Sequence, residues 1–277
     1  MPVPADCHDV VRAFSPCPAA LLSIRVQTVH RRLNGACQSL LVTGSDGQLY
    51  ALKMIHPAYT RSMRASEALA GLLASRIGLP VAEWRPMIVR DEVACWNPDF
   101  RFESAVGPVV PKADLSYGSR IVTAVDGEMP YEIIPRSWYA WIVNREDFVG
   151  MAIFDLWAHS LHHRQAAFAK VPEGLRAVFI DSCHAFGGPS GQKGLLPREV
   201  LYWDRRVYAG CWTEGVIERW VGAIKGICGA EVHALIDTLP SSWVTDTWRH
   251  GVATLLEHSR AVLSYTGAAV KGLESRS

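Results

Sequence analysis

The chain has 277 residues, 49% of them hydrophobic and 20% charged, which is enough apolar material for a sizeable core in one large domain or two lobes. A net charge of +1 without any Lys/Arg-rich run excludes a general electrostatic attraction to nucleic acid or to an anionic membrane. No stretch approaches the roughly 18 consecutive apolar residues of a membrane-crossing helix. The start, Met1-Pro2-Val3-Pro4-Ala5-Asp6, lacks a basic segment followed by an apolar one, so a cytoplasmic protein with no membrane partner is expected. The cysteines (Cys7, Cys17, Cys37, Cys95, Cys183, Cys211 and Cys228) are odd in number and never spaced Cys-x-x-Cys. They disfavour a disulfide framework and a structural zinc site, and most are expected to be reduced, buried and inert.

In chain order, residues 21–89 read as strands around one helix. The runs 40–42 and 49–55 flank Ser45-Asp46-Gly47, a tight-turn signal that predicts a hairpin with Lys53 inside its second strand. Ala65, Leu69, Leu72, Leu73 and Ile77 recur at helical spacing, and Gly78 with Pro80 supplies the stop. Glu67 lies on a different face of that helix. A strand is expected over 84–89, and the proline-punctuated segment 97–111 is expected to cross between lobes. Beyond Asp147 the pattern is mainly helical, with helices over 148–161, 214–227, 231–239 and about 244–265. A short apolar strand, Ala177-Val178-Phe179-Ile180, interrupts them and ends on Asp181. Strands first and helices after imply an α+β protein in two segregated parts.

Four groups could carry chemistry. A strand lysine braced by a helix glutamate, here Lys53 and Glu67, is how kinases hold the α- and β-phosphates of ATP. Just ahead of the hairpin, the turn through Asn34 and Gly35 could bring backbone amides to phosphate oxygens, or be a plain connection. Asp181 would project a carboxylate from a strand end, where a hard cation such as magnesium prefers oxygen; its alternative role is a cap or turn residue. In the histidine-rich cluster of His159, His162, His163 and His184, a transition-metal site of His162, His159, Asp181 and His184 is one reading, and polar helix-end residues favoured by the helix dipole the other.

Taken in order, these residues resemble the HipA-like kinase family, bacterial relatives of the HipA serine/threonine kinase. The resemblance runs from Leu33-Asn34-Gly35 through Tyr50-Ala51-Leu52-Lys53, Ser66-Glu67-Ala68 and Ile77-Gly78-Leu79-Pro80. It continues through Tyr117-Gly118-Ser119-Arg120, Asn144-Arg145-Glu146-Asp147-Phe148, Phe154-Asp155-Leu156-Trp157, Arg164-Gln165 and Phe179-Ile180-Asp181 to Val207-Tyr208. It implies a two-lobed protein-kinase-like fold: an N-terminal extension over 1–20, a β-rich nucleotide-binding lobe with hinge over 21–122, a mainly helical lobe over 123–267, and a flexible tail over 268–277. The cofactors implied are ATP and Mg2+. Lys53 would contact the phosphates, Glu67 would brace it, Asn34 and Gly35 would lie over the phosphates, Asp181 would hold magnesium, and residues 117–122 would form the hinge.

The departure falls in the catalytic loop. Where the family reads Asn-Thr-Asp-Arg-Arg-Gln, this chain reads Ser160-Leu161-His162-His163-Arg164-Gln165. His162 therefore takes the place of the catalytic Asp, and Ala167 that of the magnesium-binding Asn. An imidazole accepts a proton near neutral pH; alanine offers a cation nothing. The expected function is ATP-dependent phosphoryl transfer to a hydroxyl acceptor, protein Ser/Thr among the candidates, with His162 as base. The alternatives are a pseudokinase that binds nucleotide or a partner protein without chemistry, and a histidine-metal hydrolase.

Overall fold

The computed structural model describes residues 22–34, 37–54, 62–104, 107–111, 115–123, 127–187 and 200–263. Five strands close into a barrel in the order β1-β2-β3-β5-β4. These are β1 (Ile24–Arg32), β2 (Leu40–Gly44), β3 (Leu49–Lys53), β4 (Trp84–Ile88) and β5 (Leu115–Arg120). The Asp-Gly signal makes a β2–β3 hairpin in which Leu40 faces Leu52 and Thr43 faces Leu49, with Gly47 at φ 76°, a backbone that suits glycine. Helix α1 (Ser62–Arg76) lies between β3 and β4, and α2 (Asp91–Trp96) between β4 and β5. Val26, Leu40, Val42, Tyr50, Leu52 and Met87 fill the barrel, and Phe100 and Phe102 cover it.

The 97–111 segment does not cross between parts, as its prolines suggest. Phe102 and Val109 exchange backbone hydrogen bonds of 2.7 and 2.8 Å, folding the segment onto the barrel before the chain returns as β5. Residues 117–120 belong to that strand, paired with both β3 and β4, so the connection out of the barrel starts only at Ile121.

The rest of the chain is built on α3 (Glu146–Trp157), a hairpin of β6 (Gln165–Val171) and β7 (Gly174–Ile180), and helices α4 (Glu214–Lys225), α5 (Gly229–Asp237) and α6 (Asp246–Leu263). Helix α3 stops at Trp157 rather than at 161. Its carboxyl end is released by His159 at φ 48°, and Ser160 N–H bonds back to Asp155 O at 2.9 Å. Strand β6 is an addition to the mainly helical expectation. Ala-rich Gln165-Ala166-Ala167-Phe168-Ala169 has weak strand preference, and its full seven-residue pairing with β7 supplies the missing drive. Helix α3 also approaches α4 closely at Gly150, where an added Cβ would stand 2.3 Å from Trp220 Cε2. Among the described residues no helix is long and apolar enough to cross a membrane.

Two links set the barrel against the β6–β7 hairpin. Pro80 O accepts from Phe179 N–H at 2.8 Å, and Phe179 O accepts from Ala82 N–H at 3.2 Å, so β7 is stitched to the α1–β4 connection. The buried face of α1 (Ala65, Ala68, Leu69, Leu73) then packs into one core with Trp84, Tyr117 and Trp243. Trp243 Nε1 donates to Leu115 O at 2.9 Å and Trp248 Nε1 to Ser66 Oγ at 3.0 Å. Lys53 at the end of β3, Glu67 on α1 and Asp181 just past β7 are thereby carried to one place.

Candidate functional site

That place is the wall of a cavity of about 420 Å³. Lys53 Nζ donates to Glu67 Oε1 at 2.8 Å, to Glu67 Oε2 at 3.0 Å and to Asp181 Oδ1 at 2.7 Å. A single ammonium is shared by two carboxylates, all three side chains being less than a fifth exposed. Burial opposes the charge on Lys53, but Asp181 and then Glu67 outweigh it and hold its pKa well above the ordinary lysine value. Burial opposes ionised Asp181 too; the Lys53 charge and hydrogen bonds from Cys183 and Lys53 overcome it, and the carboxyl lies well below the usual carboxylate range. Glu67 goes the other way, pushed up by complete burial despite Lys53 beside it.

Asp181 is held in an uncommon backbone conformation, φ 59°, outside the range that a non-glycine residue ordinarily adopts. What fixes it is Arg164, 2% exposed. Arg164 Nη1 donates to Ile180 O at 3.0 Å and to Ser182 Oγ at 3.1 Å, on either side of Asp181. Its Nε donates to Asp155 Oδ2 at 2.8 Å, and its Nη2 to Asp155 Oδ1, a bidentate pair on a carboxylate with no exposure at all. Sequence reasoning passed over both residues as part of a longer match. The signal was an Asp in the apolar helix Phe154-Asp155-Leu156-Trp157, since a buried acid requires a partner. Gln165 is the second omission: its Nε2 donates to Asp181 Oδ2 at 3.3 Å.

Of the remaining candidates, Asn34 and His162 line the cavity together with Lys53, Glu67 and Asp181, while Gly35 lies outside the described residues. His162 Nδ1 is 2.8 Å from the carbonyl oxygen of His163. A carbonyl only accepts, so Nδ1 carries the hydrogen and the neutral ring keeps its lone pair on Nε2. The ring stacks on His184 at 5.2 Å, whose own pKa is lowered by burial and then by His162. Ala167 is in β6 opposite Val178. The metal site of His162, His159, Asp181 and His184 is not assembled among the described residues: His159 Nε2 pairs with Ser259 Oγ at 2.8 Å, against α6. The metal-ligating group that does form among the described residues is Cys37, Asp181 and Cys183. A hydrogen bond between the two thiols lowers the Cys37 pKa and, together with burial, raises that of Cys183.

A closed five-stranded barrel, a lysine on its third strand, a glutamate on the next helix and an aspartate after a later hairpin define a protein-kinase-like α+β fold. Solved structures agree. The chain is similar to the Helicobacter pylori proinflammatory kinase CtkA, with a TM-score of 0.53 at 12% identity over 90% of this chain and 99% of that one. It is also similar to the Golgi casein kinase with Mn/ADP bound, with a TM-score of 0.50 at 12% identity over 94% of this chain and 75% of that one. No family model matches the sequence, and no curated protein matches it either.

Proposed function

We propose that the chain is a HipA-like kinase in two lobes, residues 21–122 and 123–267, which binds ATP with Mg2+ in the cavity and transfers phosphoryl to a hydroxyl acceptor. The observation that carries this reading is the Lys53 ammonium held between Glu67 and Asp181 on the cavity wall. One positive charge facing two carboxylates leaves the triad one negative charge in excess, a donor set of hard oxygens that suits magnesium. Asp181 would hold the metal, and Glu67 would brace Lys53 toward the nucleotide phosphates. Magnesium supplies charge neutralisation for the phosphate oxygens. Gln165, whose Nε2 donates to Asp181 Oδ2, would turn its amide oxygen to the metal in place of the Asn that Ala167 replaces. Asn34, on the cavity wall, would contact the phosphates. His162, with its lone pair on Nε2, takes the proton of the acceptor hydroxyl; a protein Ser or Thr fits this chemistry.

The test is a titration with ATP, with and without Mg2+, on the wild type and Lys53→Ala. Magnesium-dependent binding that weakens at least roughly tenfold in the variant is expected. Equal affinity in the two proteins, or no binding to the wild type, overturns the reading. One observation favours the second reading, a pseudokinase that binds nucleotide or a protein partner: neither His162 nor Ala167 brings a carboxylate or amide to the catalytic loop. His162→Ala separates the two. If His162 is the base, phosphoryl transfer falls by about a hundredfold or more while ATP affinity stays. If transfer is absent from the wild type with every divalent cation tried, the chain is the binding module.

A further inference from the structure

We propose that Cys37 and Cys183 form a redox-controlled disulfide beside Asp181 that weakens nucleotide binding in the cavity. This inference deepens the nucleotide-binding reading and, for its consequence on binding, rests on it.

The geometry is specific. Cys37 sits in the turn between β1 and β2, on the barrel side of the cavity, and lines it. Cys183 is two residues beyond Asp181, on the hairpin side, and is 2% exposed. Their sulfur atoms and a carboxylate oxygen of Asp181 all lie within 4.8 Å of one another. A disulfide bond is about 2.05 Å long, so the sulfurs must close by less than about 3 Å, a distance that side-chain rotation and a small shift of the turn cover. The turn is anchored on both sides of Cys37. Leu33 N–H donates to Ser39 O at 2.8 Å, and the Gln38 side chain is bound in both directions to the Glu103 backbone at 2.9 Å. These bonds present Cys37 to its partner and limit its other positions.

The reaction needs a two-electron oxidant, and a peroxide serves. The two thiols lose two hydrogens and two electrons, a sulfur–sulfur bond forms, the peroxide O–O bond breaks, and two waters leave. Because Cys37 and Cys183 flank the carboxylate that the nucleotide-bound cation would use, the cross-link holds both sulfurs against Asp181. Nucleotide binding is then weakened, and a thiol reductant restores it.

The experiment treats the reduced full-length protein with hydrogen peroxide, alkylates the remaining thiols and maps the peptides by mass. A Cys37–Cys183 linked peptide is expected, with an intact mass lower by about 2 Da and reversal by dithiothreitol. Mg-ATP affinity should fall at least roughly tenfold on oxidation and return on reduction, and the affinity of Cys37→Ser should not respond to peroxide. Both thiols still alkylated after peroxide, linkage to a different cysteine, oxidation of Cys37 to a sulfinic or sulfonic acid alone, or stoichiometric zinc held by the two thiols would each overturn the proposal. Peptide mapping on the wild type decides the cross-link even if the reduced protein binds no nucleotide, a result that would remove the functional reading and leave the disulfide to be judged on its own.

Discussion

The Arg164–Asp155 pair and the Lys53–Glu67–Asp181 triad lie on either side of the same strained turn, and they handle buried charge in opposite ways. Arg164 and Asp155 balance one for one, are 2% and 0% exposed, and satisfy each other bidentately while the remaining guanidinium nitrogen supports the backbone around Asp181. The triad has one cation for two anions and opens on a cavity. A balanced pair is complete without any ligand. On the function proposed above, the unbalanced one is completed by a cation from outside. The first is therefore expected to show itself in stability and the second in ligand response.

The largest effect should come from breaking the balanced pair. Asp155→Ala leaves a guanidinium buried without its counter-ion and removes the anchor of the Asp181 turn, at a cost on the order of 3–5 kcal/mol of folding stability. Chemical denaturation checks this. A loss below about 1 kcal/mol, the range of an exposed pair, would erase the distinction between the two clusters.

A smaller effect should come from completing the unbalanced one. Mg2+ alone, at ten times its Kd, is expected to stabilise the wild type by about 1.4 kcal/mol, seen as a rise in melting temperature, because it binds the folded triad and not the unfolded chain. Asp181→Asn should lose the response, and Gln165→Ala should lose part of it. A response that survives Asp181→Asn would place the cation elsewhere and make the excess charge of the triad irrelevant to it.

This difference also sets what the sequence could reveal. Lys53 and Glu67 are legible because each sits in a short, strongly patterned element: an alternating strand after an Asp-Gly turn, and a helix with a clear stop at Gly78 and Pro80. The barrel hairpin is legible for the same reason. What brings Asp181 to Lys53, 128 residues away, is not local. It depends on the β7 contact with the 80–82 connection and on a hairpin whose first strand, rich in alanine, has little preference of its own. Residues 117–122, the hinge that the resemblance implies, lie in strand β5 as far as Arg120, where pairing on both edges holds them in the barrel. Arg164 and Asp155 are not legible as a unit because they are nine positions apart, one in a helix and the other at the end of the loop that follows it; only burial shows that neither stands alone.

The smallest and most discriminating effect is the pH dependence of the triad. The Asp181 carboxyl is depressed below its unfolded value of about 3.8, so its contribution to stability is fully present above that pH and is lost as pH falls toward the folded value. Glu67 is raised, so its ionised form costs stability above its folded pKa, and that cost is relieved as pH falls. The two oppose each other, and the wild-type curve alone mixes them. Subtracting the Asp181→Asn curve isolates the first: the wild type should lose stability more steeply than the variant between about pH 4 and pH 2. Parallel wild-type and Asp181→Asn curves would mean that Asp181 titrates in the folded protein as it does unfolded, and that Lys53 belongs electrostatically to Glu67 alone.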